Sequence, residues 1–379
     1  MAKILYLDTS TGYGGAPRCL FDLIGNLDRT RFDPIVAAAR MDGFIREIEK
    51  GGTPVIPLPG GVGDDAGSIP GQALHFLRKS LPAALAIRRL IRTHQIHLVH
   101  LNNEIYSSVP AILGARMARR PVVCHLRLWR APTRLEKAMG RLVDHFIVLS
   151  HASLKFYQPF WPGKPMTVLY DPAPPPVPAP AGTRERIRTE WGIPARAPLV
   201  GLISRCAPGK GFAEFIRAVA QVLREIPEAR FLIAGNGSGG EPAVETAARA
   251  LARDLKLDNA LIWAGWRDTN PVYPALDVVV QPSTRPEGLS HVILESMAYG
   301  IPVVATAHPT SVEALGNGAA GLLVPPGDVG AMAAAILQIL NDPSLAATLG
   351  QAGKERAATV FSPSVHIASL QRLYDGLKE

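Results

Sequence analysis

At 379 residues, 47% of them hydrophobic and 19% charged, the chain has material for two buried cores, and its composition excludes a disordered protein. Three cysteines far apart in sequence, Cys19, Cys124 and Cys206, supply neither a disulfide framework nor paired zinc-ligand motifs and fit a reducing compartment. The net charge of +8 is uneven: residues 1–180 hold 22 Lys and Arg against 13 Asp and Glu, and residues 181–379 hold 18 against 19, so the first half suits either an anionic partner, such as a phospholipid surface or phosphate-bearing acceptor, or plain solubility charge.

The opening apolar run breaks at Asp8, too soon for a secretory signal, and no uninterrupted apolar stretch is long enough for a bilayer. The expectation is a cytoplasmic protein, at most peripheral to the inner face of a membrane. Strand-like runs KILYLD, PIVAAA, IHLVHL, PVVCHL and HFIVLS then alternate with helical patterns, including 74–92 and 106–117. That alternation predicts a parallel sheet with crossover helices. After the first strand, Gly14 and Gly15 let the backbone approach a ligand closely, and Pro17 suits the first turn of a helix. Gly12-Tyr13-Gly14 is not a dinucleotide fingerprint, because Pro17 stands where Gly or Ala is needed. His100 and His125 fall at strand ends, where a hydrogen-bonded structural role competes with a catalytic one. Arg127 to Arg130, RLWR, suits an anionic acceptor or an ordinary exposed loop equally.

The proline-rich DPAPPPVPAP, 171–180, forbids helix and central strand and reads as a stiff extended connector. Beyond it the alternation restarts with PLVGLI, RFLIAG, ALIWAG, DVVVQP and PVVATA, separated by helical segments such as 212–224 and 244–255. The predicted organisation is an N-terminal Rossmann-like domain over 1–170, a linker over 171–182, a second Rossmann-like domain over 183–360, and a helical segment over 361–379 that could pack on either domain, the N-terminal one included. No repeat of solenoid period is present.

Two constellations carry chemistry. In GLISRCAPGKGF, 201–212, a buried strand runs into a Pro-Gly turn with Arg205 and Lys210 ahead of a helix. In doubly wound sheets ligands bind beyond the carboxyl ends of strands, where helix N-termini offer amides to anions, so a diphosphate fits. Gly211 after Lys210 excludes a Walker loop. In PEGLSHVILESMAYGIPVVAT, Glu287 and Glu295 are eight positions apart, Glu287 on the loop after DVVVQPS and Glu295 about two turns into the following helix, close to one helical face if the segment between is helical throughout. A carboxylate accepts from two vicinal hydroxyls, which suits ribose or hexose. The amides of Gly288, Leu289, Ser290 and His291, at a helix start, could meet phosphate or a sugar hydroxyl.

These motifs resemble the retaining glycosyltransferases of the GT-B fold, specifically the glycosyltransferase group 1 (GT4) family. Glu287 through Glu295 with its trailing SMAYGIPVVA is similar to that family's Glu-x7-Glu motif. Arg205 with Lys210-Gly211 resembles its donor-phosphate pair, while GLLVPPGD at 321–328 and Gly235-Asn236-Gly237 resemble further landmarks. The resemblance implies two Rossmann-like parallel α/β domains facing a deep interdomain cleft, the first on the acceptor side and the second holding the donor. It implies Arg205 and Lys210 on the donor diphosphate with Gly15 facing the phosphate, Glu295 on the ribose, Glu287 and Gly288 at the donor sugar, and His125 near the reacting centre. It implies a retaining hexosyl transfer by front-face attack from a UDP- or GDP-sugar to an acceptor hydroxyl, possible in cell-surface polysaccharide or glycolipid synthesis, with no nucleic acid involved. The acceptor is left open, anionic and lipid-linked ones included. Cations at the leaving diphosphate can replace a metal. The chain has no Asp-x-Asp, and Asp64-Asp65 sits in a Gly-rich loop, so neither metal nor other cofactor is expected. Pro17-Arg18 stands where the family often has an acidic residue, which bears on acceptor contacts. A GT-B-like nucleotide-sugar epimerase would instead need acid/base carboxylates in the first domain, and a non-catalytic sugar-nucleotide sensor would not need all four donor residues.

Overall fold

The computed structural model describes residues 1–10, 14–58, 80–235 and 241–377. Gly12, Tyr13, Asp64, Asp65, Asn236, Gly237 and the 74–79 start of the first expected helix lie outside them. The chain divides into two compact units, Met1–Asp171 with Pro363–Glu379, and Pro172–Ser362.

The first unit is built on a seven-stranded sheet of β1 Ala2–Asp8, β2 Phe32–Ala38, β3 Val55–Pro57, β4 Leu98–Leu101, β5 Val122–Leu126, β6 His145–Val148 and β7 Met166–Val168. Its order is β3-β2-β1-β4-β5-β6-β7, paired in parallel throughout. A parallel sheet is covered on both faces, which is why its strands read as unbroken apolar runs. Alternation still sorts the side chains: Leu5, Leu7, Val99, Leu101 and Cys124 join one core, and Ile4, Tyr6, Leu98 and Val123 the other. Helix Pro363–Gly376 covers the second face with Leu370 and Tyr374, both fully buried. It is tied down by polar contacts as well. The Tyr374 hydroxyl lies 2.6 Å from His100 Nδ1, His366 Nδ1 donates to the Tyr170 carbonyl at 2.7 Å, and Arg31 pairs with Asp375.

The second unit has a six-stranded parallel sheet of β8 Leu199–Ile203, β9 Arg230–Ala234, β10 Leu261–Gly265, β11 Val278–Gln281, β12 Val303–Thr306 and β13 Leu322–Val324, in the order β10-β9-β8-β11-β12-β13. Helix Phe212–Glu225 buries Phe215, Ile216, Val219 and Val222 against Phe231 and Ile233, the spacing of one helical stripe. Residues 171–180 carry no regular secondary structure. The Ala173 amide donates to the Phe361 carbonyl at 2.8 Å and the Val177 amide to the Tyr299 hydroxyl at 3.1 Å. Among the described residues no single helix is long and apolar enough to cross a membrane.

Both sheets reverse strand order at one place, between β1 and β4 in the first and between β8 and β11 in the second. Such a switch point opens a crevice beyond the carboxyl ends of the two strands, because their crossovers leave in opposite directions.

Candidate active site

At the second switch point, β8 leads into the loop that bears Arg205 and Lys210. Ala207 to Lys210 turns sharply: Lys210 donates its amide to the Ala207 carbonyl at 3.3 Å, Pro208 sits second, and Gly209 third with φ +85°, the requirement of a type II turn. Arg205 is exposed and Lys210 half-buried. Gly211, at φ +73°, precedes helix Phe212–Glu225, and a Cβ there would stand 1.8 Å from the Pro282 carbonyl oxygen. Only glycine lets the two loops approach this closely. The Thr284 amide adds a direct link, donating to the Gly209 carbonyl at 2.8 Å.

Glu287 is on the loop after β11, as expected, and Glu295 is on the helix that follows, but that helix starts later than expected. The helix runs His291–Tyr299 with Ser290 at its cap, so Glu287 is on the loop and the segment between the two glutamates is not helical throughout. Glu295 is a little over one turn into the helix, not two. Loop contacts, instead of a shared helical face, orient Glu287. Its carboxylate accepts from Lys210 Nζ, Gln281 Nε2 and Ser283 Oγ. Gln281 and Ser283 are buried, while the Lys210 and Glu287 side chains keep 26% and 24% exposure. With about a quarter of each side chain open to solvent, a ligand anion can compete with Glu287 for Lys210. The loop is held from beneath by residues after β12: Thr306 Oγ1 and His308 Nε2 donate to the Ser283 carbonyl at 2.7 and 2.8 Å, and Thr310 Oγ1 to the Glu287 carbonyl at 3.0 Å.

Glu295 accepts from the Tyr273 hydroxyl at 2.5 Å. Tyr273 is fully buried and stacks on Tyr299 with centroids 5.1 Å apart. Burial first, and then the Glu295 charge, raises the phenol well above its ordinary range, so it stays a donor and fixes one carboxylate oxygen. At the helix start, Gly288 and Ser290 are half-buried and Leu289 is buried. No side chain caps Ser290, and His291, the first helical residue, is half-buried. The first-turn amides carry the positive end of the helix without a side-chain cap.

In the first unit, Gly15 is exposed and opens helix Gly15–Asn26, which has no side-chain cap and no acidic residue in its first turn. His125, near the end of β5, is completely buried and its Nδ1 lies 3.1 Å from Arg127 Nη2. Burial, then the Arg127 charge, pushes its pKa well below the usual imidazole value. His100 is also buried, its pKa lowered to about 3 by the same two causes. Neither arginine of RLWR is an ordinary solvated loop cation. Arg127 is buried and ion-paired with buried Asp171, and Arg130 bonds Glu136 through both terminal nitrogens and Glu104 at 2.8 Å. Each already has its counter-charge, which weakens the expectation of an anionic acceptor there.

Gln281, Ser283, Tyr273, Thr306, His308, Thr310 and Asp171 were not singled out from the sequence. The available signals were a polar residue closing an apolar strand at Gln281 and the alternate polar positions 306, 308 and 310.

Residues 183–356 match the family Glycosyl transferases group 1, and residues 13–173 match Glycosyltransferase Family 4. The lipopolysaccharide core biosynthesis glycosyltransferase LpsE of Rhizobium meliloti is 36% identical over 176 residues, 46% of this chain and 49% of LpsE. A GDP-mannose-dependent alpha-(1-6)-phosphatidylinositol monomannoside mannosyltransferase of Mycolicibacterium smegmatis is 33% identical over 205 residues, 52% of each chain. The chain spans about half the length of these curated relatives. Among solved structures, Anabaena HepE in complex with UDP and glucose superposes with a TM-score of 0.82 at 25% identity, covering 99% of this chain and 100% of HepE. A Rickettsia africae glycosyltransferase reaches 0.84 at 17% identity, covering 99% and 98%, and speaks for the fold alone. Two parallel α/β units with these motifs at one switch point, matched by these two families, place the chain among the group 1 glycosyltransferases with the GT-B fold.

Proposed function

We propose that the protein transfers a hexose from a nucleoside diphosphate sugar, UDP- or GDP-linked, to an acceptor hydroxyl with retention of anomeric configuration and without a metal. The observation that carries this reading is the meeting of the Arg205–Lys210 loop and the Glu287 loop at the β8/β11 switch point. Arg205 and Lys210 take the diphosphate, assisted by the amides of Leu289, Ser290 and His291. Their cations act on charge that grows as the glycosidic bond breaks, where stabilisation lowers the barrier most. Glu295, oriented by Tyr273, takes the ribose hydroxyls. Glu287 and Gly288 take the donor sugar. The leaving phosphate takes the acceptor proton. Complexes of HepE with UDP and UDP-glucose support the donor class, and the LpsE and mannosyltransferase relatives support a glycolipid or cell-surface polysaccharide acceptor. Three buried cysteines without a disulfide suit a cytoplasmic setting.

A thermal-shift panel of UDP, GDP and ADP and their sugars identifies the donor, since a ligand bound only by the folded state raises its melting temperature. Incubation with the stabilising labelled sugar nucleotide then tests the reaction. Nucleotide release with glycosylated acceptor and unchanged activity in EDTA is the expected result. An epimer without release, or binding alone, overturns it.

A further inference from the structure

His125 and Arg127 form a unit whose chemistry is fixed by donor and acceptor counting. A guanidinium has donors only, so across the 3.1 Å contact from Arg127 Nη2 the His125 Nδ1 must be the acceptor. The single proton of the neutral ring is therefore on Nε2. Arg127 cannot swing away, because each of its nitrogens is engaged: Nε donates to the Asn102 carbonyl at 2.7 Å, Nη2 also to Asn102 Oδ1 at 3.2 Å, and Nη1 to Asp171. Asn102 is anchored in turn, its Nδ2 donating to Asp8 and to the Ala16 carbonyl. The resulting Nε2–H of His125 has no hydrogen-bond partner among the described residues although the residue is wholly buried. A buried donor is rarely left so without a ligand or water to receive it. It stands one residue from the carboxyl end of β5, the side of such a sheet on which ligands bind.

His100 Nε2 also lacks a partner, yet its case differs. A tyrosine hydroxyl can donate or accept, so Tyr374 does not fix the His100 tautomer, and the His100 ring is packed against Tyr6 and Tyr374 as a brace for helix Pro363–Gly376.

We infer that Arg127 is a positioning residue that locks His125 as a neutral Nε2–H donor reserved for an oxygen of the bound sugar substrate. The inference rests on the glycosyltransferase reading for the identity of that substrate, whereas the tautomer does not depend on it. His125 is then no general base, since its accepting nitrogen is occupied. The groups facing it are Arg127 beside it, Asp171 after β7, His100 on β4 and His366 on helix Pro363–Gly376. Only Asp171 favours protonation, and Arg127 holds that carboxylate.

The full-length chain with 15N-labelled histidine, its His125 signal assigned by loss in His125→Gln, tests this by NMR before any substrate is added. The expected result is an Nε2–H tautomer that does not titrate from about pH 8 to about pH 5.5, the interval around the ordinary histidine pKa. A proton on Nδ1, or titration near the ordinary value, overturns the inference. The charge-balanced double variant Arg127→Met/Asp171→Asn should release the second tautomer, and its turnover should gain an acidic limb that the wild type lacks. An unchanged tautomer and a flat profile in that variant remove Arg127 from the role. His125→Gln, which retains an N–H donor, should stay within about tenfold of wild-type kcat, and His125→Leu should lose roughly a hundredfold or more; equal losses contradict donation. Finally, the nucleotide sugar chosen by thermal shift should move the Nε2–H resonance, and an unmoved one means a buried water alone occupies it. If no nucleotide sugar binds at all, the function reading fails while the tautomer result stands.

Discussion

Glu287 shows how a charged residue can be recognisable in sequence while its partners are not. It was assigned to a sugar and Lys210 to a diphosphate, yet the folded loops pair the two and add Gln281 and Ser283. Residue type and family spacing marked the pair, whereas the contact depends on a loop-to-loop approach across 77 residues. Removing either cation proposed to bind the diphosphate should be costly: Arg205→Ala or Lys210→Ala should each lower kcat by roughly a hundredfold, the loss typical of one preorganised electrostatic donor. Labelled-sugar transfer measures this, and near wild-type turnover in both variants would remove the assignment. Tyr273→Phe should act more gently. Losing one hydrogen bond of about 1 kcal/mol to Glu295 predicts a rise in donor KM of about fivefold with kcat little changed, and steady-state kinetics at saturating acceptor would reveal a kcat loss instead.

Among the secondary elements, all ten strands expected from apolar runs are present, within one or two residues of their ends. The missing ones, Val55–Pro57, Met166–Val168 and Leu322–Val324, have three residues each and are mostly only partly buried. Edge strands this short lack the hydrophobic run that identifies a buried strand. Leu322–Val324 was visible only as part of a family landmark. The helix after Glu287 was placed too early because an apolar stretch with a 3.6-residue period does not report where its N-terminal loop ends. Gly211 is the element-level position most sensitive to change. Gly211→Ala would require a Cβ 1.8 Å from the Pro282 oxygen at φ +73°, so a loss of about 2 kcal/mol or more is expected from clash and strain. A lowered urea midpoint would register it, and an unchanged midpoint would mean that the two loops can separate freely.

On the scale of the whole molecule, the units should respond differently to acid. His100, His125 and His366 are buried in the first unit, and burial is the leading cause of the lowered pKa in each. Below about pH 6.5 the unfolded chain binds protons that the folded one refuses. Stability is therefore whole above that pH and falls as pH drops beneath it, by up to about 1.4 kcal/mol per pH unit for each histidine. Calorimetry with hydrogen exchange at pH 7 and pH 5 should show the first unit's transition falling further. Equal shifts would remove the histidine explanation. The basic first half also predicts salt-sensitive binding to anionic liposomes, and failure to cosediment at low salt would rule that out.

The sequence alone determined the two parallel α/β cores and marked the four residues proposed to hold the donor, because apolar runs, proline positions and closely spaced motifs are local properties that burial and backbone sterics translate directly into structure. Three features were decided only by the tertiary structure. It joined helix Pro363–Gly376 to the first unit, pairing Tyr374 with His100 across 274 positions. It turned Arg127 from a candidate anion site into the buried partner of Asp171 and His125. It bonded the loop carboxylate of Glu287 to donors from two strand ends. Hydrogen bonds and ion pairs of this kind depend on side chains brought together from distant positions, and their energies depend on burial, which no short stretch of sequence contains.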